Sequence, residues 1–289
     1  MFLWVKRNEM IRLIRFDRPY GTLLLLFPTL WSLFLASFGH PTLHHLAVFI
    51  LGSFFMRSAG CVMNDMADYK FDAKVMRTQN RPLAQGSVTH KEAFVVLFFF
   101  LAVSLFLVLT LNKLTIALSF SAFFFATLYP FAKRFTHFAQ ALLGITFSFG
   151  ILMAWTAAHG ALSVTPFLIL LANLFWALGY DTIYALMDKE DDLKIGVKSM
   201  AILIGSKPWR AIGLFFSLVI VFLLLVGHQN QMGTIYYLSL MLTAAIFSYQ
   251  ALMLKKTLAR ENLFPLFKAH VYVGGLILAG IVLQFYLRG

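Results

Sequence analysis

The chain has 289 residues, 60% hydrophobic and 12% charged, with mean hydropathy +0.80 and a net charge of +12. That apolar share is above the range of soluble domains and is gathered into long runs, which excludes a soluble fold. The basic surplus does not imply nucleic acid, because the cations sit between the apolar runs and form no continuous patch.

The chain opens on MFLWVKRNEM, a short apolar piece followed by charge. The order differs from that of a cleavable signal peptide and reads as an interfacial start that stays on the protein. Nine stretches then approach the ~20 apolar residues that a membrane span needs: 21–38, 46–63, 93–110, 114–130, 141–158, 166–187, 209–227, 234–254 and 269–287. Backbone groups in lipid must be satisfied within their own segment, so each is expected to be a helix. The fold class is therefore all-α: a polytopic membrane protein, a bundle of nine transmembrane helices. No linker or composition shift interrupts it, so residues 1–289 read as one domain.

The connections carry an asymmetry. Of the 24 Lys and Arg residues, 21 fall at the N-terminus or in the loops after the second, fourth, sixth and eighth stretches. The opposite side has Lys113 and Arg288, and Arg57 lies within the second stretch. The positive-inside rule places the N-terminus and the basic loops in the cytoplasm, and an odd number of spans places the C-terminus outside. The basic side is attracted to anionic headgroups, so membrane lipid is an expected partner. His40, His44 and His45 share a short outer loop without acidic neighbours and read as ordinary polar loop residues. Cys61 reads as core packing.

Eight of the twelve acidic residues are confined to 65–72 and 181–192. The first stretch is NDMADYKFD. A helix turns about 100° per residue, so with Asn64 at zero, Arg57 lies at about 20°, Asp68 at about 40° and Asp72 at about 80°. Asp65, at about 100°, sits at the margin of that face. The loop that follows, RTQNRPLAQG, supplies Arg77 and Arg81, and Lys133 follows the fourth stretch. The second acidic stretch, YDTIYALMDKEDD, ends the sixth span. Drawn as one continuous helix, it places Asp188 and Asp192 close on either side of Asp181, with Tyr184 further round and the deeper Asn173 beyond it on the same side. Glu190 and Asp191 point elsewhere. LKIGVKS then supplies Lys194 and Lys198.

Carboxylates one turn apart repel, and in a membrane protein they mark functional sites. A hard divalent cation resolves the repulsion: Mg²⁺ takes oxygen ligands and commonly binds a few carboxylates together with substrate phosphates. Two such faces with Arg and Lys beside them would clamp a diphosphate. A transporter would instead hold its acids near the membrane midplane on broken helices, whereas here they lie at the cytoplasmic helix ends. The two acidic stretches, four spans apart, hint at an internal duplication.

NDMADYKFD, RTQNRPL, YDTIYALMDKEDDLKIGVKS and the entry RLIRFDRPYGTLLLLFPTLW together resemble the intramembrane aromatic prenyltransferase family over essentially the whole chain. Members acting on haem, chlorophyll and menaquinone precursors share the first motif. The second string is more similar to the branch that acts on 4-hydroxybenzoate in ubiquinone synthesis. The resemblance implies a Mg²⁺-dependent transfer of a polyprenyl group from polyprenyl diphosphate to the ring carbon ortho to the phenol, in a bacterial inner membrane with the site on the cytoplasmic side. It implies that Asn64, Asp68 and Asp72 hold one Mg²⁺ and that Asp188 and Asp192 hold a second. Arg15, Arg77, Arg81, Lys133, Lys194 and Lys198 become candidate diphosphate contacts. Arg57 would meet either the benzoate carboxylate or one of the aspartates. Asp181 or Tyr184 is a candidate to orient the phenol. Asn173 and Trp176 could line the acceptor pocket, Trp176 reading better as packing.

Overall fold

The computed structural model describes residues 2–287, so Arg288 lies outside the described residues. These residues form twelve helices and no strand. In chain order they are α1 (Phe2–Leu13), α2 (Tyr20–Ala36), α3 (Leu43–Asp72), α4 (His90–Val108), α5 (Lys113–Phe135), α6 (Ala139–His159), α7 (Val164–Leu186), α8 (Lys189–Ile195), α9 (Met200–Leu203), α10 (Pro208–Gln229), α11 (Thr234–Lys256) and α12 (Arg260–Tyr286). Each of the nine apolar stretches is a helix. Eight of these are long and apolar enough to cross a membrane, and the ninth, α2, is an apolar helix of 17 residues. At 1.5 Å per residue α2 is about 25 Å long, slightly short of the hydrocarbon thickness.

The starts of several helices are written locally. Thr42 accepts the His45 N–H ahead of α3, and Asn112 accepts the Thr115 N–H ahead of α5. Thr89 and Glu92 form a reciprocal capping box at α4. Such caps satisfy amide groups that the first helical turn leaves without partners.

The nine apolar helices pack in sequence around a ring: each touches the next, and α12 returns to α2. Across the interior α2 meets α6, and α7 meets α12. The main core joins Trp31, Trp176, Tyr180, Phe216 and Ile277, all nearly inaccessible to solvent. Trp176 donates its indole N–H to His270 at 2.8 Å, which assigns it to packing. The ring is weakest between α4 and α5, which touch little and bury least of their surfaces. Phe98 and Phe106 on α4, and Phe120 and Phe124 on α5, face outward, as lipid-facing side chains do.

Of the short helices, α1 packs Leu13 against Val62, Leu83, Val88 and Ala93, forming a small separate core beneath the loop after α3. The α8 helix starts on the acidic run Glu190, Asp191 and Asp192, favourable at a helix N-terminus. It ends at Gly196, whose φ of +73° suits glycine.

Candidate active site

The first acidic motif lies wholly on α3, but the structure divides it differently from the wheel: Asn64, Asp65 and Asp72 face the interior cavity, while Asp68 turns to Lys133 and Arg134 of α5. The second motif departs from its wheel. The α7 helix stops at Leu186, Asp188 is the N-cap of α8, and the Asp188 carbonyl accepts the Asp192 N–H at 2.8 Å. Asp192 is therefore placed by a separate short helix. The helix ends where a run of charged residues leaves the apolar segment and Asp188 turns to arginines from other elements.

A cavity of about 860 Å³ opens inside the ring. Asn64, Asp65, Asp72, Asp181, Tyr184, Asp188 and Asp192 line it, together with Arg15, Arg57, Arg77, Arg81, Lys133 and Lys198. Its wall continues past Gly60, Met56 and Gly52 to Val48 and Phe49. Asp72 and Val48 are 24 residues apart on α3, roughly 36 Å at 1.5 Å per residue. The cavity is thus charged at one end and apolar along the rest. Leu105 on α4 and Phe120 and Phe123 on α5 line it while remaining exposed on the outside, so the weak α4–α5 seam borders it.

Four of the motif carboxylates meet cations. Asp188 accepts from Arg77 Nε at 2.9 Å and from its Nη2 at 2.5 Å, with Arg260 Nη2 at 3.3 Å. Arg77 also donates to the Tyr184 hydroxyl and lies over that ring, 4.4 Å from its centroid. Asp72 accepts from Arg81 at 2.7 Å. Asp65, 1% exposed, accepts from Arg15 at 2.7 and 2.8 Å and from Arg81 at 3.1 Å, so it supports two cations instead of facing a ligand by itself. Arg15 does this from a strained backbone, with φ +58°, steadied by its own bond to the Arg12 carbonyl at 2.7 Å. Burial alone would lower the Arg81 guanidinium, yet Asp65 and Asp72 carry it above its ordinary value.

Asp68 is fully buried with Lys133 Nζ at 2.5 Å and Arg134 at 3.7 Å, yet neither of its oxygens accepts a well-directed hydrogen bond. It does not itself line the cavity; Lys133, which does, meets it. Asp192 has no salt-bridge partner among the described residues. Burial, followed by the Asp188 charge, pushes its carboxyl up to about 7. Among the described residues no three His, Cys, Asp or Glu side chains form a preassembled metal cluster.

Arg57 stands apart, deeper along α3. Its guanidinium lies 5.8 Å from the Phe147 centroid, its Nε has no hydrogen-bond partner, and it makes no salt bridge among the described residues. It packs against Gly21 of α2, where an added Cβ would fall 2.6 Å from the guanidinium. Of the two partners open to it from sequence, the aspartates form no ion pair with it among the described residues, although Asp181 lies within electrostatic reach. Tyr129 and Asp181 line the same cavity.

Two candidates are corrected. Asn173 is fully buried away from the cavity and donates to the Ser148 hydroxyl at 2.9 Å, because its face of α7 packs on α6. Lys194 points outward on α8 with 73% of its side chain exposed and, among the described residues, only Asp191, at 3.8 Å, as a salt-bridge partner. Lys194→Ala is expected to change kcat/KM by less than about two-fold, as for an exposed charge with a weak pair, in steady-state assays of the purified protein. Lys198 does reach the cavity: its backbone N–H donates to the Lys133 carbonyl at 2.9 Å and its Nζ to the Phe135 carbonyl at 3.2 Å. Arg134, Arg260 and Tyr129 were missed as site residues. The two arginines looked like topology charges, and nothing local distinguishes Tyr129 from its aromatic neighbours.

The model of the UbiA prenyltransferase family matches residues 25–281. A 4-hydroxybenzoate octaprenyltransferase of Aeromonas hydrophila is 48% identical over 275 residues, covering 95% of this chain and 96% of its own. One from Vibrio cholerae is 48% identical over 281 residues, covering 97% and 98%. Among solved structures, the apo UbiA homolog from Aeropyrum pernix K1 superposes with TM-score 0.80 at 26% identity, covering 90% of this chain and 97% of that one. A homolog from Archaeoglobus fulgidus bound to GPP and Mg²⁺ has TM-score 0.70 at 19% identity, covering 96% and 99%, a likeness of fold.

Proposed function

The chain belongs to the UbiA prenyltransferase family, and from that membership we propose that it transfers a polyprenyl group from polyprenyl diphosphate to 4-hydroxybenzoate, at the ring carbon ortho to the hydroxyl. This is a membrane step of ubiquinone synthesis. The observation that carries the reading is the polarity of one cavity: carboxylates and guanidinium groups at the end, apolar wall beyond, and between them Arg57, which has no salt bridge among the described residues.

Asn64, Asp68, Asp72, Asp188 and Asp192 are the proposed Mg²⁺ ligands. The donor set fits a hard cation where it lines the cavity: Asn64, Asp72, Asp188 and Asp192 all offer oxygens there. Asp68, held by Lys133 behind that lining, would join them only by exchanging Lys133 for the metal. A preassembled three-carboxylate cluster is not required, because Mg²⁺ is usually held by one or two carboxylates together with substrate phosphates and water. When bound, the metal neutralises charge that develops on the leaving diphosphate.

The chain's own residues do the rest. Arg77, Arg81, Arg15, Lys133 and Lys198 line the charged end and would hold the diphosphate oxygens, Arg with paired donors and Lys as a point charge. The apolar wall takes the prenyl tail, which enters sideways from lipid along the α4–α5 seam. As the C–O bond to the diphosphate breaks, the allylic cation forms among apolar and aromatic groups that exclude water. The Arg57 guanidinium fits the acceptor carboxylate and would set the ring in place, with Asp181 or Tyr184 oriented toward the phenol. A ring C–C bond forms, a proton leaves the same carbon, and aromaticity returns. The charged mouth faces the cytoplasm, as the basic loops on that side require.

Membranes containing the protein, given Mg²⁺, a polyprenyl diphosphate and radiolabelled 4-hydroxybenzoate, should yield label in the lipid extract. No label, in a preparation that releases diphosphate with a different acceptor, rejects this acceptor. Arg57→Met is expected to raise KM for 4-hydroxybenzoate by about ten- to a hundred-fold while leaving KM for the diphosphate nearly unchanged, because only a charge-assisted bond to the carboxylate is lost. Equal rises in both values would place Arg57 elsewhere.

A further inference from the structure

Helix α1 is too short to cross a membrane, yet it makes a dense set of polar contacts with the loop at 73–89 that carries Arg77 and Arg81. Glu9 is the hub. Its side chain is only 13% exposed; Oε1 accepts from Arg12 at 2.8 Å, and Oε2 accepts from Ser87 Oγ at 2.8 Å and from Gln85 Nε2 at 3.1 Å. Arg12, so oriented, donates to the Asn80 carbonyl, next to Arg81, at 2.5 Å. The Gln85 N–H in turn donates to the Arg81 carbonyl at 2.9 Å. Leu13 fastens the same helix to Leu83 and Val88.

The loop has other ties: Thr78 bonds the Asp72 carbonyl at 3.0 Å, the Arg81 N–H donates to the Thr78 carbonyl and the Val88 N–H to the Pro82 carbonyl, and Thr89 opens the α4 capping box. The side-chain bonds that join the loop to α1, however, converge on Glu9 and Arg12. Within this loop Arg81 must hold its guanidinium against two carboxylates. A loop without regular structure does not keep a side chain at fixed reach unless its backbone is tied. We infer that Glu9 is a positioning residue for the transfer reaction: through Arg12, Gln85 and Ser87 it clamps the arginine-bearing loop to α1 and so sets the affinity for the diphosphate end of the donor. Glu9 does not line the cavity and acts only through this clamp. The inference rests on the reading of Arg77 and Arg81 as diphosphate contacts.

The test is a kinetic split on purified full-length protein. Glu9→Ala is expected to raise KM for the polyprenyl diphosphate about ten-fold, with KM for 4-hydroxybenzoate and kcat within about two-fold, the size expected when charge-assisted hydrogen bonds to a positioning group are removed. Glu9→Gln keeps one oxygen for Ser87 and Gln85 but turns its amide NH₂ to Arg12 and loses the charge, so it should recover part of the loss. Ser87→Ala combined with Glu9→Ala should add little, since both cut one connection. Direct binding of inorganic pyrophosphate, measured by calorimetry, gives a readout independent of turnover and should weaken in parallel. Arg81→Gln is the control. If it raises the donor KM and weakens pyrophosphate while Glu9→Ala does neither, the clamp is wrong. If Arg81→Gln does neither, the diphosphate reading itself fails. Equal loss of both KM values and kcat in Glu9→Ala, without recovery in Glu9→Gln, would also overturn the clamp by making Glu9 a general folding residue.

Discussion

Asp188→Ala is expected to lower kcat/KM by about 10²- to 10³-fold, the usual loss when one preorganised electrostatic group is taken from a reaction that develops charge. Asp188 receives Arg77 through three contacts and Arg260 through a fourth, and is the proposed ligand of the second Mg²⁺. Removing it takes away a carboxylate for the cation and leaves Arg77 with its bond to the Tyr184 hydroxyl but without a counter-charge. Asp188→Asn should fail nearly as badly, because the side chain keeps its size and loses the charge that both Arg77 and a metal require. Steady-state rates, with detergent-solubilised protein checked by size exclusion for folding, measure the effect. Activity within a few-fold of the parent in both variants would sink the two-cluster mechanism.

Asp65→Ala is expected to cost about 3–5 kcal/mol of stability, the range for removing one partner from a buried ion pair and leaving the other charge uncompensated. Asp65 is 1% exposed and bridges Arg15 and Arg81, whose side chains are 23% and 19% exposed. A loss of that size is a large part of the net stability of a typical domain. The thermal unfolding midpoint in detergent should fall clearly. Replacing Arg15 as well should return part of the loss, since the orphaned guanidinium is then gone, and a double-mutant cycle measures the coupling. A midpoint unchanged in Asp65→Ala would show that the triad is solvent-screened and of little weight. Asp68→Ala offers a contrast. Its partners Lys133 and Arg134 are 27% and 33% exposed, so water can take over more of the freed charge and activity should suffer more than stability.

Much of the site was legible because chemistry in a membrane is conspicuous. Few acids occur in this chain, so eight of them in two short stretches stand out. Helical periodicity, applied to an uninterrupted helix, grouped Asn64, Asp68 and Asp72 and set Asp65 at the margin, whereas the cavity takes Asn64, Asp65 and Asp72 and leaves Asp68 to Lys133 of α5. The same tool failed where its premise failed. It carried Asp181 through Asp192 as one helix, while α7 ends at Leu186 and Asp192 sits on α8. It also put Asn173 on the site face, although that face of α7 is taken by α6. Lys194 lies in the same stretch as Asp192 and Lys198, but its place on α8 turns it to solvent. Arg260 lies 72 residues from Asp188, and no local pattern connects a cation that far away to its carboxylate.

The sequence by itself determined the solvent and the class of helix. Apolar runs of that length are membrane helices, and the clustered carboxylates beside arginines pointed to the proposed cation and diphosphate. These follow from composition and spacing along the chain, where the energies are local. Tertiary structure alone decided which cation meets which carboxylate, that Arg57 is left without an ion-pair partner among the described residues, and that α1 holds the arginine-bearing loop. Those outcomes depend on how the ring of helices closes. A guanidinium and a carboxylate tens of residues apart choose each other only after packing has set their distance and removed the water between them.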